Sequence, residues 1–373
     1  MDPHMDHPIV DCDVHVYPRD PEELQKYLPL PWKHWYRGES RPFYQSKPPL
    51  HGSRQDAFAP GGGRPGTDPD TLRRQLIDQY GIRHAILLPR VFANMYPDPD
   101  YATALARAFN DWLADTWLTA YNADGCFRGS LNVAQQDPHA AAAEIERIGG
   151  HEYMVQVMVD SGARAPFGQR QYHPIYEQCE KLGLPFAIHP GTDGAGINAA
   201  PTPGYPTHLV EWHTLLSLGF QAHLVSFITE GVFERYPGLT VVLVEGGVAW
   251  LAPLIWRLTD HWRSMRTEVP WMDKPPLHYL HRNVRLTTQP MENPDDPAHL
   301  AALLRSIAAH RVLMYSSDYP HFDFDSPTVI ARHLPADMHE AVFHANAARL
   351  YRLPLPPATA SDRDRASRVD GGS

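Results

Sequence analysis

Asp11-Cys12-Asp13-Val14-His15, directly after the apolar pair Ile9-Val10, decides how this chain reads. Side chains of a strand alternate with period 2, so as a strand this stretch puts residues 11, 13 and 15 on one face and Cys12 and Val14 on the other. Two carboxylates and an imidazole on one face fit an apolar core badly, because burying unpaired charge is costly. They suit a divalent metal. Standing alone, the motif would read as a polar N-terminal loop; the rest of the chain supplies its context.

Residues 17–70 form a long irregular stretch rich in Pro, Gly and aromatics, including Trp32, Trp35, Tyr36, Phe43 and Tyr44. Loops of such length in a compact protein usually serve as a functional lid or an interface. From there strands and helices alternate. Helices are expected at Thr71–Tyr80, Tyr101–Leu118, Pro138–Ile148, Pro174–Leu182, two within Thr207–Tyr236, then Gly246–Arg263, Ala298–Ala309 and Asp337–Tyr351. Strands are expected near residues 9, 84, 127, 154, 184, 239, 283 and 311. Eight such βα units predict an α/β fold of the (β/α)8 TIM-barrel type, with an insertion after the first strand. An open doubly wound sheet would carry a G-x-G-x-x-G turn after a strand, and none occurs. The chain is therefore expected to be one barrel domain over 9–355, followed by a disordered tail over 356–373.

Composition narrows the function classes. A hydrophobic content of 43% is ample for a core, and no apolar run approaches the ~20 residues that span a bilayer. Residues 1–8 carry no apolar signal-peptide core. A net charge of −10 without a Lys/Arg cluster argues against nucleic acid as a partner. The three cysteines, Cys12, Cys126 and Cys179, lack metal-ligand spacing and suit a reducing cytoplasm.

In a barrel, chemistry gathers at the C-terminal ends of the strands. Those ends read Asp13 and His15, Arg90, Asn132, Asp160, His189, Glu245, Gln289 and Asp318, nearly all directly after apolar runs. One or two could be chance; so many describe a lined site. His189 alone would read as a structural histidine, and Asp318 alone as a turn cap. With Asp13 and His15 they supply two carboxylates and two imidazoles, a donor set compatible with Zn2+, the first expectation on prevalence, or with Mn2+.

The combination resembles the amidohydrolase superfamily, in the amidohydrolase-related branch that contains α-amino-β-carboxymuconate-ε-semialdehyde decarboxylase and γ-resorcylate decarboxylase. Besides the opening motif, the matching stretches are Leu184-Pro185-Phe186-Ala187-Ile188-His189-Pro190-Gly191, the run Arg235–Gly247 ending Val244-Glu245-Gly246-Gly247, Ser317-Asp318-Tyr319-Pro320-His321, and Asn346-Ala347-Ala348-Arg349-Leu350-Tyr351. Carried over, the resemblance implies Asp13, His15, His189 and Asp318 as metal ligands. It also exposes a departure: those decarboxylases carry a histidine after strand six where this chain has Glu245. A carboxylate there can do acid/base work, bind the metal, or pair with an arginine. Arg257 resembles an arginine that reaches across a homodimer interface to a neighbour's substrate carboxylate; a surface salt bridge is the plainer reading. Arg164 after strand four is a second carboxylate clamp or a loop residue. Gln289 is a candidate substrate contact, and His321 either flanks the metal or packs in its loop. Trp32, Trp35 and Tyr44 wall a planar substrate or pack the insertion against the barrel.

The expected function is divalent-metal-dependent, non-oxidative decarboxylation of a small aromatic or unsaturated carboxylic acid, with Glu245 or His321 delivering the proton to carbon. The alternative is a metal-dependent hydrolase of an amide, lactone or ring C–C/C–N bond, in which Asp318 takes a proton from metal-activated water. A binding protein that keeps the metal only for stability is the third class, against which the polar strand ends argue.

Overall fold

The computed structural model describes residues 7–38, 52–59, 61–200 and 202–354. Tyr44 and the expected tail at 356–373 lie outside the described residues. Eight strands follow one another in parallel, in the order of the sequence: β1 Ile9–Val14, β2 Ile82–Leu87, β3 Phe127–Asn132, β4 Met154–Asp160, β5 Phe186–His189, β6 Val241–Leu243, β7 Val284–Thr287 and β8 Leu313–Met314. The two edges of the sheet meet beyond β8. Cys12 N donates to Tyr315 O at 3.0 Å, Asp318 N to Asp13 O at 3.1 Å and His15 N to Tyr319 O at 2.7 Å. This is the expected (β/α)8 barrel.

Apolar side chains sort into two layers. One cluster joins outward strand residues such as Leu131, Val157, Ile188 and Leu243 to helix residues such as Phe109, Trp112, Ile145 and Phe227. The other joins Val10, Cys12, Ile86, Ala187, Val242 and Met314, from five strands, with Tyr351 at the barrel floor. Burying each large side chain contributes roughly 1.5–3 kcal/mol, so the outer layer is the main source of cohesion.

The helices follow their local signals. Pro138–Ile148 starts after Asp137, whose Oδ1 accepts Ala140 N at 3.0 Å, and stops at Gly149. The helix expected at Thr71–Tyr80 is α-helical over Pro69–Leu72 and continues as a π-helix through Asp78. Between β5 and β6 there are three helices rather than two: Leu209–Thr214, Ser217–Thr229 and Val232–Arg235. Pro276–Asn283 and Pro327–His333 form helices that the sequence reading left as loop, since they are only eight and seven residues long. Strand eight stops at Met314 rather than Ser316: Tyr315 N leaves the sheet to donate to Val342 O at 2.8 Å, and the next two amides bond side chains. Ser316 N donates to Thr288 Oγ1 at 3.1 Å and Ser317 N to Asp11 Oδ1 at 2.9 Å.

The described parts of the stretch after β1 are pinned to the barrel mouth. Arg54 N donates to Pro320 O at 2.9 Å, and Tyr17 N to Gly66 O at 3.0 Å. Gly66 has φ +79°, and a Cβ on it would come within 2.6 Å of His15 O, so only glycine lets the chain pass so close.

The floor explains the Asn346 motif. Asn346 Nδ2 donates to His310 O at 2.7 Å and Leu313 O at 2.8 Å, from a side chain 5% exposed. Asn346→Ala strands both carbonyls, and we expect a loss of about 1–3 kcal/mol, read as a lower urea midpoint with unchanged slope.

Candidate metal centre

The polar residues at the mouth owe their directions to three backbone devices. His189 follows from plain alternation: Ala187 belongs to the inner cluster, Ile188 to the outer one, and His189 turns in again. On β1 the alternation slips. Val10 and Cys12 face inward but Val14 faces outward, and the register with β2 shifts between Asp11 and Val14. The expectation that Cys12 and Val14 share one face, and residues 11, 13 and 15 the other, is therefore corrected. Asp11 instead braces backbone, accepting Asp13 N at 3.2 Å and Ser317 N at 2.9 Å through Oδ1. Burial pushes its carboxyl up to about 7.

Glu245 and Asp318 reach the site by left-handed backbone. Val244 already faces inward, so an extended Glu245 would point away; its φ of +60° turns it in. Asp318 has φ +58°. Non-glycine residues in this region cost on the order of 1–3 kcal/mol and cluster where function requires them.

Five side chains converge: Asp13, His15, His189, Glu245 and Asp318 each offer a donor atom, all within 4.8 Å of one another and all buried. His15 Nε2 lies 3.3 Å from Asp13 Oδ1 and 3.0 Å from Asp318 Oδ1. His189 Nε2 lies 2.7 Å from Glu245 Oε2, 3.6 Å from Asp13 Oδ2 and 3.2 Å from His15 Nε2. His15 Nδ1 is 3.0 Å from Leu88 O, so its proton resides there and the Nε2 lone pair faces the cluster. His189 Nδ1 lies 2.8 Å from Pro190 O and 2.5 Å from Arg90 Nη1, a guanidinium nitrogen that can only donate.

The donor set fits a divalent cation. Both oxygens of Asp13 and Oε2 of Glu245 are buried without a hydrogen bond among the described residues, which is costly unless a cation meets them. Burial and the Arg90 guanidinium oppose a charge on His189, yet Glu245 and Asp13 raise its pKa to about 9. Burial, reinforced by Glu245, Asp323 and Asp13, pushes the Asp318 carboxyl well up. The cluster thus draws positive charge to its centre.

The other expected residues separate by position. Arg90 braces the β5 turn and the back of His189: it pairs with Asp160 at 2.9 Å, donates to Pro190 O at 2.8 Å and lies 2.5 Å from His189 Nδ1, 5% exposed. A Cβ on Gly191 would strike that guanidinium. Gln289 Nε2 bonds Asp323 Oδ2 at 2.9 Å and reaches Asp318 Oδ2 at 3.4 Å. His321 Nδ1 bonds Asp318 Oδ1 at 2.7 Å and its Nε2 meets the Tyr17 hydroxyl at 3.2 Å. Arg164 is exposed and lines a separate cavity with Asn94, Gln135 and Tyr172, which includes none of the five donors. Arg257 is exposed on the helix Leu251–Ser264. Trp32 stacks near Tyr101, with ring centroids 6.4 Å apart, and Trp35 is 64% exposed. The sequence reading missed Tyr17, His213 and Asp323; Tyr17, two residues past His15, and Asp323, five past Asp318, lay near motifs, while His213 had no local signal.

Comparison with known proteins bears on the family and the fold. The family model described as Amidohydrolase matches residues 10–353. Gamma-resorcylate decarboxylase of Rhodococcus jostii (strain RHA1) is 27% identical over 314 residues, covering 77% of this chain and 88% of the relative. An amidohydrolase from Mycobacterium avium subsp. paratuberculosis superposes with a TM-score of 0.71 at 19% identity, over 93% of this chain and 100% of that one. The 5-carboxyvanillate decarboxylase of Novosphingobium aromaticivorans, complexed with manganese and 4-hydroxy-3-methoxy-5-nitrobenzoic acid, superposes with a TM-score of 0.65 at 21% identity, over 93% and 97%.

Crowded buried carboxylates should make the fold depend on a cation. We expect Mn2+ or Zn2+ added to chelator-treated protein at 100 times its dissociation constant to stabilise it by about 2.7 kcal/mol. Asp13→Asn should remove most of that gain, as read by thermal unfolding with and without metal.

Proposed function

Because this chain belongs to the amidohydrolase family, we propose that it is a divalent-metal-dependent decarboxylase that releases CO2 from a small hydroxylated aromatic acid. The convergence of five buried donor groups at the barrel mouth carries the reading. Relatives named gamma-resorcylate decarboxylase, 27% identical over 77% of the chain, support the reaction class. In this reading Asp13, His15, His189 and Asp318 hold the ion, and Glu245 is a fifth donor rather than an acid/base group. Its Oε2, without a hydrogen bond and 2.7 Å from His189 Nε2, supports that choice. Three carboxylates make the donor set harder, which favours Mn2+ over Zn2+, in line with the manganese of the 5-carboxyvanillate decarboxylase.

A divalent ion held by these residues would supply Lewis-acid polarisation of a substrate oxygen. The protein does the rest. His321 and Gln289 hold the two oxygens of Asp318 from opposite sides, fixing its rotamer. Leu88, Val244 and Met314 beneath the cluster keep water from the floor. Arg164 and Arg257 remain carboxylate-binding candidates outside the donor cluster. The exposure of Arg257 beside Trp256, itself 51% exposed, supports a homodimer in which that helix meets a neighbour. Three buried free cysteines support a cytoplasmic setting, and among the described residues no helix is long and apolar enough to cross a membrane.

Glu245 favours one second reading, hydrolysis of an amide or lactone. The deciding experiment offers chelator-treated, Mn2+-reloaded protein a panel of ortho-hydroxybenzoates, lactones and amides. Release of CO2 with formation of the phenol is expected; acid release from a lactone or amide without CO2 would replace the decarboxylase with the hydrolase. Asp318→Ala should lower kcat by roughly 100- to 10,000-fold in either case, and an unaffected rate would remove Asp318 from the site.

A further inference from the structure

The cavity beside Arg164 lies at the same end of the barrel as the metal centre but belongs largely to other strands. Asn94 follows β2, Gln135 and Gln136 follow β3, Arg164 follows β4 and Asn198 follows β5. Its volume is about 90 Å3. A single water needs roughly 10–15 Å3, so a ligand of several heavy atoms has room.

Two glutamines define its chemistry. Gln135, 2% exposed, turns its Nε2 to the backbone oxygens of Gly162 at 3.1 Å and Asp160 at 3.4 Å. Gln136 turns its Nε2 to Ala93 O at 3.0 Å and Tyr96 O at 3.2 Å. With both nitrogens given to the wall, each amide has only its oxygen left to offer the cavity. Both Oε1 atoms are buried without a hydrogen bond among the described residues, and buried acceptors of this kind call for donors. Arg164 supplies the opposite chemistry: it is exposed, and it makes no hydrogen bond or ion pair among the described residues. The walls between are held firmly. Asn94 Nδ2 donates to Gly162 O at 2.6 Å, its Oδ1 accepts Thr192 Oγ1 at 3.0 Å, and Asn198 Nδ2 donates to Thr192 O at 3.0 Å. Thr192 itself has φ +59°, a conformation that a β-branched residue keeps only where its surroundings impose it.

We propose that this cavity is a binding site for a short hydroxylated carboxylate, whose hydroxyls donate to Gln135 and Gln136 and whose carboxylate meets Arg164. Hydroxyls supply the missing donors without bringing charge inside, and the guanidinium fork matches a carboxylate. A small amino acid has N–H donors enough, but its ammonium would enter a cavity with no acidic lining residue and with a cation beside it, which is costly. A plain polyol leaves Arg164 unmet. Glycerate, with two hydroxyls and one carboxylate, answers all three groups. The site is independent of the reaction proposed above, since none of the five metal donors lines it.

Calorimetric titration of glycerate into the Mn2+-loaded full chain tests this. We expect saturable binding, weakened at least about 10-fold in Arg164→Met, which loses a charge-assisted hydrogen bond. Ala163→Phe fills the cavity while keeping its polar side chains, and should abolish the heat. Because Arg164 is exposed, Arg164→Met should melt with wild type, and it decides the matter even if Ala163→Phe does not fold. Glycerate that instead chelates the ion would bind Arg164→Met as tightly as wild type, and that result overturns the site. Absence of binding up to millimolar glycerate overturns it as well. Glycerol binding as tightly as glycerate, or serine binding more tightly, overturns the ligand class.

Discussion

The closure between β1 and the segment after β8 is the constraint on which the site depends. Asp318 N on Asp13 O, His15 N on Tyr319 O and Ser317 N on Asp11 Oδ1 join the first and last elements of the barrel. These bonds do more than complete a sheet. They bring a strand near residue 10 and a loop near residue 318 to within one hydrogen bond, and three of the donor groups, Asp13, His15 and Asp318, sit on the joined backbone. The buried acid Asp11 fastens the joint and takes no part in the cluster. Its value lies in fixing two backbone amides at once through Oδ1.

Electrostatics then set the requirement that a cation answers. Asp13, Glu245 and Asp318 crowd around two imidazoles in a space too dry to screen them. A folded chain can reduce that repulsion by taking up protons or by binding a metal. The raised pKa values of His189 and Asp318 express the first route, and the unbonded oxygens of Asp13 and Glu245 express the second. The left-handed backbone at Glu245 and Asp318 points the same way, since strain of this kind persists only where the surrounding structure imposes it.

Much of the fold was legible because βα units leave a strong local record. The helix Pro138–Ile148 carries its own cap and stop, and β5 announces itself by an apolar run ending at His189-Pro190-Gly191. The helices Pro276–Asn283 and Pro327–His333 were not legible, being only eight and seven residues long. At the site, Asp13, His15, His189 and Asp318 stood out as polar residues closing apolar runs. The face of β1 was misread because a register shift inside the strand breaks the alternation on which the reading rested. Tyr17, His213 and Asp323 were not found, since each becomes relevant only through a partner far away in sequence or a loop with no template.

The sequence by itself determined the barrel, the order of its strands and the identity of four donor residues, because those follow from periodicity and from polar residues placed where apolar runs end. Tertiary structure alone decided how they meet. It turned Glu245 inward through a left-handed φ, sent Arg90 to brace the β5 turn, engaged both nitrogens of His321, and delivered His213 from a separate helix to Asp323. Side-chain type and spacing are local properties of a chain. Which lone pairs are left facing a common point depends on hydrogen bonds between segments up to some 300 residues apart, and those exist only once the chain has closed on itself.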